Sequence, residues 1–150
     1  MSISHWKVWV NTGLFLSFDK KNLRPSIFSF IPAFAWLIII IILLVMPGPD
    51  VPSAPFFDLV YFDKWVHIGM FGILTLLWCL PFLKSETSSS RLFIFITGCS
   101  ILFGVLMEYV QKYIAFDRDF DVLDIAADCV GSIIALFWLL FFQKKKQFKK

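Results

Sequence analysis

The stretch DVLDIAADCVGSIIALFWLLFF, Asp121 to Phe142, decides how this chain folds. Its second half is apolar on every side, the mark of a helix with no aqueous face. Its first half carries Asp121, Asp124 and Asp128 at i, i+3 and i+7, one stripe of a helix, and Gly131 continues that stripe a turn further on. The apolar run after Asp128, Cys129 to Phe142, is shorter than the ~20 residues a helix needs to cross the hydrocarbon of a bilayer. The turns that hold Asp124 and Asp128 must therefore complete the span. At ~1.5 Å per residue, Asp128 sits roughly 10 Å deeper than Asp121. Ionisable groups at such depth are costly unless paired or wetted, so they mark a working site.

The rest of the chain repeats the pattern. Of its 150 residues 59% are hydrophobic and only 17% charged, with mean hydropathy +0.78, well outside the balance of a soluble domain. The apolar residues come in blocks, so the expected fold is an all-α integral membrane protein, a four-transmembrane-helix bundle with no room for a second domain. Helices are expected over 26–46, 63–83, 91–114 and 121–142. The first ends at Pro47-Gly48-Pro49, because proline cannot continue a helix and turns its predecessor away from helical angles. Residues 1–25 mix Trp6, Trp9 and Phe18 with Lys20, Lys21 and Arg24, which suits a short N-terminal cytoplasmic segment at headgroup level. Residues 143–150 form a basic cytoplasmic tail. The apolar run of the first helix is too long for a cleaved signal core. Cys79, Cys99 and Cys129 fall inside apolar stretches without C-x-x-C spacing and read as small packing residues.

Orientation follows from the basic residues. With the N-terminus inside, all of the 14 Lys and Arg except Lys64, Lys112 and Arg118 lie on cytoplasmic segments. That bias predicts N-in, C-in in a bacterial cytoplasmic (inner) membrane, with an even number of crossings. The basic residues form no stripe on a soluble surface, so nucleic acid is not an expected partner; the lipid bilayer is.

This topology carries three polar segment ends to the outer face. Asp63, Lys64 and His67 open the second helix; Glu108 and Gln111, at i and i+3, end the third; Arg118 lies in the outer loop; Asp121, Asp124 and Asp128 open the fourth. Some have ordinary explanations. Asp63 and Asp121 are candidate N-caps, Lys64 and Lys112 can snorkel to the interface, and His67 can be a packed, hydrogen-bonded residue. Glu108, Asp124 and Asp128 are harder to account for as structure alone. Carboxylates crowded together do not all ionise comfortably, which suits acid–base work or proton relay. His67 with Glu108, Asp124 and Asp128 could also supply nitrogen and oxygen ligands for a divalent cation, but the spacings match neither H-E-x-x-H nor H-x-x-E-H, so no metal and no cofactor is assigned. Thr97 and Ser100 have no partner at a useful spacing for a nucleophile.

At these residues the chain resembles the VanZ-like family of small bacterial membrane proteins. The resemblance covers roughly Pro47 to Leu136 and rests on Asp63-Lys64-Trp65-Val66-His67, Glu108-Tyr109-Val110-Gln111, Arg118-Asp119-Phe120-Asp121 and Asp124-Ile125-Ala126-Ala127-Asp128-Cys129-Val130-Gly131. Two positions depart from the family pattern: Phe71 stands where a tyrosine is common and Asp128 where an asparagine is usual. The resemblance implies a membrane-embedded protein connected with low-level resistance to teicoplanin-type lipoglycopeptides. The expected function is binding of a lipid-linked envelope precursor or an amphipathic drug at the outer polar site. Lys64, Arg118 and His67 would meet an anionic head, and Glu108, Asp124 and Asp128 its hydrogen-bond donors. The alternatives are a membrane enzyme, with His67 or Glu108 as general base and Asp124 or Asp128 as acid or metal ligand, and a structural subunit of an envelope complex.

Overall fold

A computed structural model describes residues 25–46, 62–83, 85, 88–114 and 120–147. The expected N-terminal segment and Arg118 lie outside the described residues. A single 3-10 turn, Ile27–Phe30, leads into α1, Ile31–Val45, and is followed by α2, Phe62–Leu83, α3, Ser90–Ile114, and α4, Val122–Gln147. Ser26 caps the first turn by accepting the Phe28 N–H, and Pro32 occupies the start of α1, where its missing N–H costs nothing. Met46, next to Pro47, is already extended at ψ 133°. The fourth helix does not stop at Phe142: it runs on to Gln147, so the first residues of the expected basic tail are helical. With only glutamines and lysines there, all good helix formers, nothing breaks the ladder.

Among the described residues four helices are long and apolar enough to cross a membrane, counting the first from Ile27 to Val45. At most a third of each span's most apolar window is buried within the protein. Large side chains such as Phe34, Ile38, Phe95, Leu102, Phe137 and Phe141 point outward, a continuous apolar belt that fits lipid and not water. The polar residues do the opposite. His67, Thr75, Glu108, Gln111, Asp124, Asp128 and Ser132 are all buried. This is the multi-pass membrane protein expected from composition.

The most extensive packing is α2 on α4, with α3 on α4 and α2 next, while α1 leans on α2 and α3. Ile40, Leu44, Met70, Phe71, Leu74 and Met107 form the core at the polar end, and Cys79, Phe93 and Leu139 the core at the other. Cys79 thus packs as expected, while Cys99 faces outward. The Trp36 indole donates to the Met70 carbonyl at 3.0 Å and fastens α1 to α2.

Glycines bring α2 and α4 together. A Cβ on Gly131 would lie 2.1 Å from the Ile68 carbonyl oxygen, and one on Gly72 would lie 3.2 Å from the Gly131 oxygen. Such backbone approach is how membrane helices gain packing energy when lipid is as apolar as leucine. At the far end Gln143 ties α4 to the start of α3, accepting from Ser90 Oγ at 2.8 Å and donating to Ser88 Oγ at 3.1 Å.

Gly131→Ala should therefore destabilise the detergent-solubilised protein by about 1–3 kcal/mol through overpacking. Gly98→Ala, whose added carbon meets nothing within 4 Å, should leave it unchanged. Equal melting temperatures for the two variants would show that the crossing is not tight.

Candidate functional site

The bundle gathers the C-terminal ends of α1 and α3 and the N-terminal ends of α2 and α4 at one end, because their side chains reach one another there. Lys64, in the first turn of α2, places Nζ between Asp121 Oδ2 and Asp124 Oδ1, both at 2.5 Å, with Asp63 Oδ2 at 3.3 Å. One ammonium, three-quarters or more shielded, thus joins α2 to α4. It does not snorkel to water as a lone lysine would. Asp121 Oδ1 accepts the Leu123 N–H at 2.8 Å and caps α4. Its carboxyl, which precedes the span, is held below the ordinary aspartate range chiefly by the hydrogen bond from Lys64. Asp63 is not an N-cap: α2 begins at Phe62, so Asp63 lies inside the first turn, about half exposed, where a negative charge suits the helix dipole.

A turn deeper, His67 Nδ1 stands 2.9 Å from Asp128 Oδ1 and Nε2 3.9 Å from Asp124 Oδ2. The imidazole is 1% exposed and lies across two carboxylates one turn apart on α4. Glu108 enters from α3: Oε2 accepts the Asp121 N–H at 3.1 Å, whereas Oε1 is buried without a hydrogen-bond partner. Asp128 Oδ2 is likewise buried and unpartnered. Five carboxylates and two basic groups, from three helices, form one network.

Gln111 points elsewhere. It is buried, and its Nε2 donates to the Leu44 carbonyl at 3.1 Å, satisfying an orphan acceptor at the end of α1. Its i+3 spacing from Glu108 puts both on the inner face of α3, but α1 and not α4 lies opposite it. Lys112 is exposed, with Nζ 5.6 Å from the Tyr113 ring centroid and 6.0 Å from that of Phe120, an interfacial cation–π arrangement. Thr97 and Ser100 donate to the carbonyls of Phe93 and Ile96 a turn back, so neither hydroxyl is available for chemistry.

Beyond the polar turns, the same faces of α4 and α2 line an apolar cleft. From Asp124 and Asp128 the α4 face continues through Gly131 and Ala135 to Trp138, and on α2 the i+4 series runs from Lys64 through Ile68 and Gly72 to Leu76. Between these series lies a cleft of about 250 Å³, walled almost wholly by apolar atoms. Gly69 borders it, and a Cβ there would meet nothing within 4 Å. The charged cluster and the apolar cleft thus occupy successive turns of the same two helices.

Over 122 residues the chain is 30% identical to the uncharacterized protein C11E3.10 of the fission yeast Schizosaccharomyces pombe, a match covering 81% of this chain and 73% of the relative. The chain belongs to that protein's family. No family model matches it, and no solved structure does either.

In this family member some site residues were not evident from spacing. A Cβ on Gly104 would lie 2.6 Å from Asp128 Oδ2 and 3.1 Å from the Phe71 ring. It is what leaves room for the Asp128 carboxylate. The signal was available, since Gly104 is one turn before Glu108 on the same face. Ser132 and Thr75, both buried with unpartnered hydroxyls, give no such signal, because isolated hydroxyls in apolar runs usually bond their own helix.

Removing the Lys64 ammonium leaves buried Asp124 with no cation nearer than the His67 ring at 3.9 Å among the described residues, so Lys64→Met should cost about 3–5 kcal/mol. Adding Asp124→Leu should recover part of that loss, because the stranded charge goes too. Equilibrium unfolding in detergent checks both, and additive losses would show that the bridge is not a unit.

Proposed function

We propose that this chain is a four-helix membrane protein, with both termini on the cytoplasmic face, that binds an amphiphile by its head in the outer-leaflet polar site and by its chain in the cleft between α2 and α4. One observation carries this reading: the stripe that holds Asp124 and Asp128 becomes, one turn later, the wall of an apolar cleft. A head-and-chain ligand matches both halves of that stripe.

The hydrogen bonding narrows the head group. Lys64 is already shared by Asp63, Asp121 and Asp124, and His67 is held by Asp128. The open capacity belongs to acceptors, Glu108 Oε1 and Asp128 Oδ2. A head rich in hydroxyl or amine donors, such as the sugar or amino group of a lipid-linked envelope component, fits this better than a bare anion. The orientation is supported by the lysine-rich end of α4, which lies at the end of the bundle away from the cluster, and by the cytoplasmic bias of the other basic residues.

The resemblance to the VanZ-like family supports the same reading, because Asp63, Lys64, His67, Glu108, Asp121, Asp124 and Asp128, among the residues that carry it, meet here. A lipoglycopeptide, with sugars and amines on a lipid tail, has the same make-up as the proposed ligand. In a bacterial cytoplasmic membrane, reduced susceptibility to such drugs would be one outcome of binding. Kinship with a fission yeast protein favours a lipid-linked head that is not confined to bacteria.

A second reading has a specific observation in its favour. A carboxylate holding one imidazole nitrogen, as Asp128 holds His67, is how a general base is oriented. Turnover of the bound amphiphile, abolished by His67→Gln, would make the site catalytic.

Native mass spectrometry of the protein extracted from its own membranes tests the binding reading. Wild type should retain a specific amphiphile. Gly69→Leu, which fills the cleft, and Glu108→Gln, which keeps the acceptor for Asp121 but turns the free one into a donor, should lose it while melting as wild type does. Unchanged retention by both folded variants would refute the reading.

A further inference from the structure

Among the described residues the charges of the polar site do not balance. Asp63, Glu108, Asp121, Asp124 and Asp128 converge, and the ion pairs among the described residues bring them only Lys64 and His67. Uncompensated carboxylates at membrane depth call for protons or for another cation.

The histidine discriminates between these. Asp128 Oδ1 lies 2.9 Å from Nδ1; with Asp128 ionised it accepts the Nδ1 proton, and in the neutral imidazole Nε2 then carries the lone pair. Nε2 makes no hydrogen bond, since its nearest ionic neighbour, Asp124 Oδ2, is at 3.9 Å. A carboxylate fixing the far nitrogen of an imidazole is the usual support of a metal-binding histidine. One oxygen each from Asp63 and Asp124 lies with an imidazole nitrogen of His67 so that all three atoms are within 4.8 Å of one another. Two of the three residues are buried and the third, Asp63, opens to the surface, giving a route of entry. Glu108, 1% exposed, adds a carboxylate oxygen without a partner to the same network.

We propose that Asp63, His67 and Asp124 bind a divalent metal ion of the zinc class, with Asp128 positioning the imidazole. One nitrogen and two carboxylate oxygens suit Zn²⁺, and three protein ligands leave a coordination position open for a fourth group. The motif spacings gave no sign of it because the ligands come from two helices. Lys64 is the competitor: its Nζ rests on Asp124 Oδ1 and Asp63 Oδ2, so the ammonium and the ion share both carboxylates. The proposal does not depend on amphiphile binding and is tested with the metal alone.

The full chain, purified in detergent and stripped with EDTA, is titrated with ZnCl₂ while bound zinc is counted by elemental mass spectrometry and melting is followed. Wild type should take up one Zn²⁺ per chain and melt at a higher temperature. His67→Gln and Asp63→Asn should bind at least about tenfold more weakly. Asp63→Asn, at an exposed position, serves as the variant whose metal-free melting should match wild type. Lys64→Met should bind more tightly, and Zn²⁺ should restore its melting temperature, one cation replacing another. Failure of wild type to bind, or equal binding by wild type and Asp63→Asn, would overturn the proposal. So would Zn²⁺ leaving Lys64→Met as unstable as before.

Discussion

Gly131 has no room for a single methyl, since a Cβ there would lie 2.1 Å from the carbonyl oxygen of Ile68. This backbone contact between α2 and α4 governs what happens a turn or two away. With the two axes so close, the first turns of the helices overlap, and the short side chains of Asp121, Asp124 and Asp128 reach Lys64 and His67 directly. Any larger residue at the crossing would separate the ends by more than a hydrogen bond tolerates. Gly104 serves the same purpose toward α3 by leaving space for Asp128 beside Phe71. The polar network is thus a consequence of close backbone packing, and the packing is possible because these positions lack side chains.

The network in turn sets the character of the molecule. Lipid on the outside accepts the apolar belt, so the polar residues must satisfy one another inside, where interactions between charges are stronger than in water. Most do: Gln111 closes the end of α1, Asp121 caps α4, and Lys64 serves three carboxylates. Glu108 Oε1 and Asp128 Oδ2 are left over. Each costs desolvation without return inside the protein, and in the proposed reading a ligand or an ion supplies the missing partner.

Much of this was legible before the fold was known. The four spans were readable because an apolar run of membrane length has few other uses, and their limits fell close to the observed ones wherever proline or a charged residue marks the end. The stripe of Asp121, Asp124 and Asp128 was readable because helical periodicity places i, i+3 and i+7 on one face. Asp63 was misassigned as a cap because an aspartate before an apolar run looks the same whether the helix starts at it or one residue earlier. Gln111 was grouped with Glu108 for a similar reason: periodicity identifies the face of α3 but not which neighbour that face meets.

The sequence by itself determined that this is a membrane-spanning helical protein with ionisable residues at the ends of three spans, because hydropathy and period are local properties. Only the tertiary structure decided the partners. That Lys64 bridges Asp121 and Asp124, that His67 is held by Asp128 with its other nitrogen unbonded, and that the polar stripe runs on into an apolar cleft all depend on how far apart two helix axes lie and how they are rotated. Those quantities come from the fit of one glycine-bearing surface against another, which no single helix encodes.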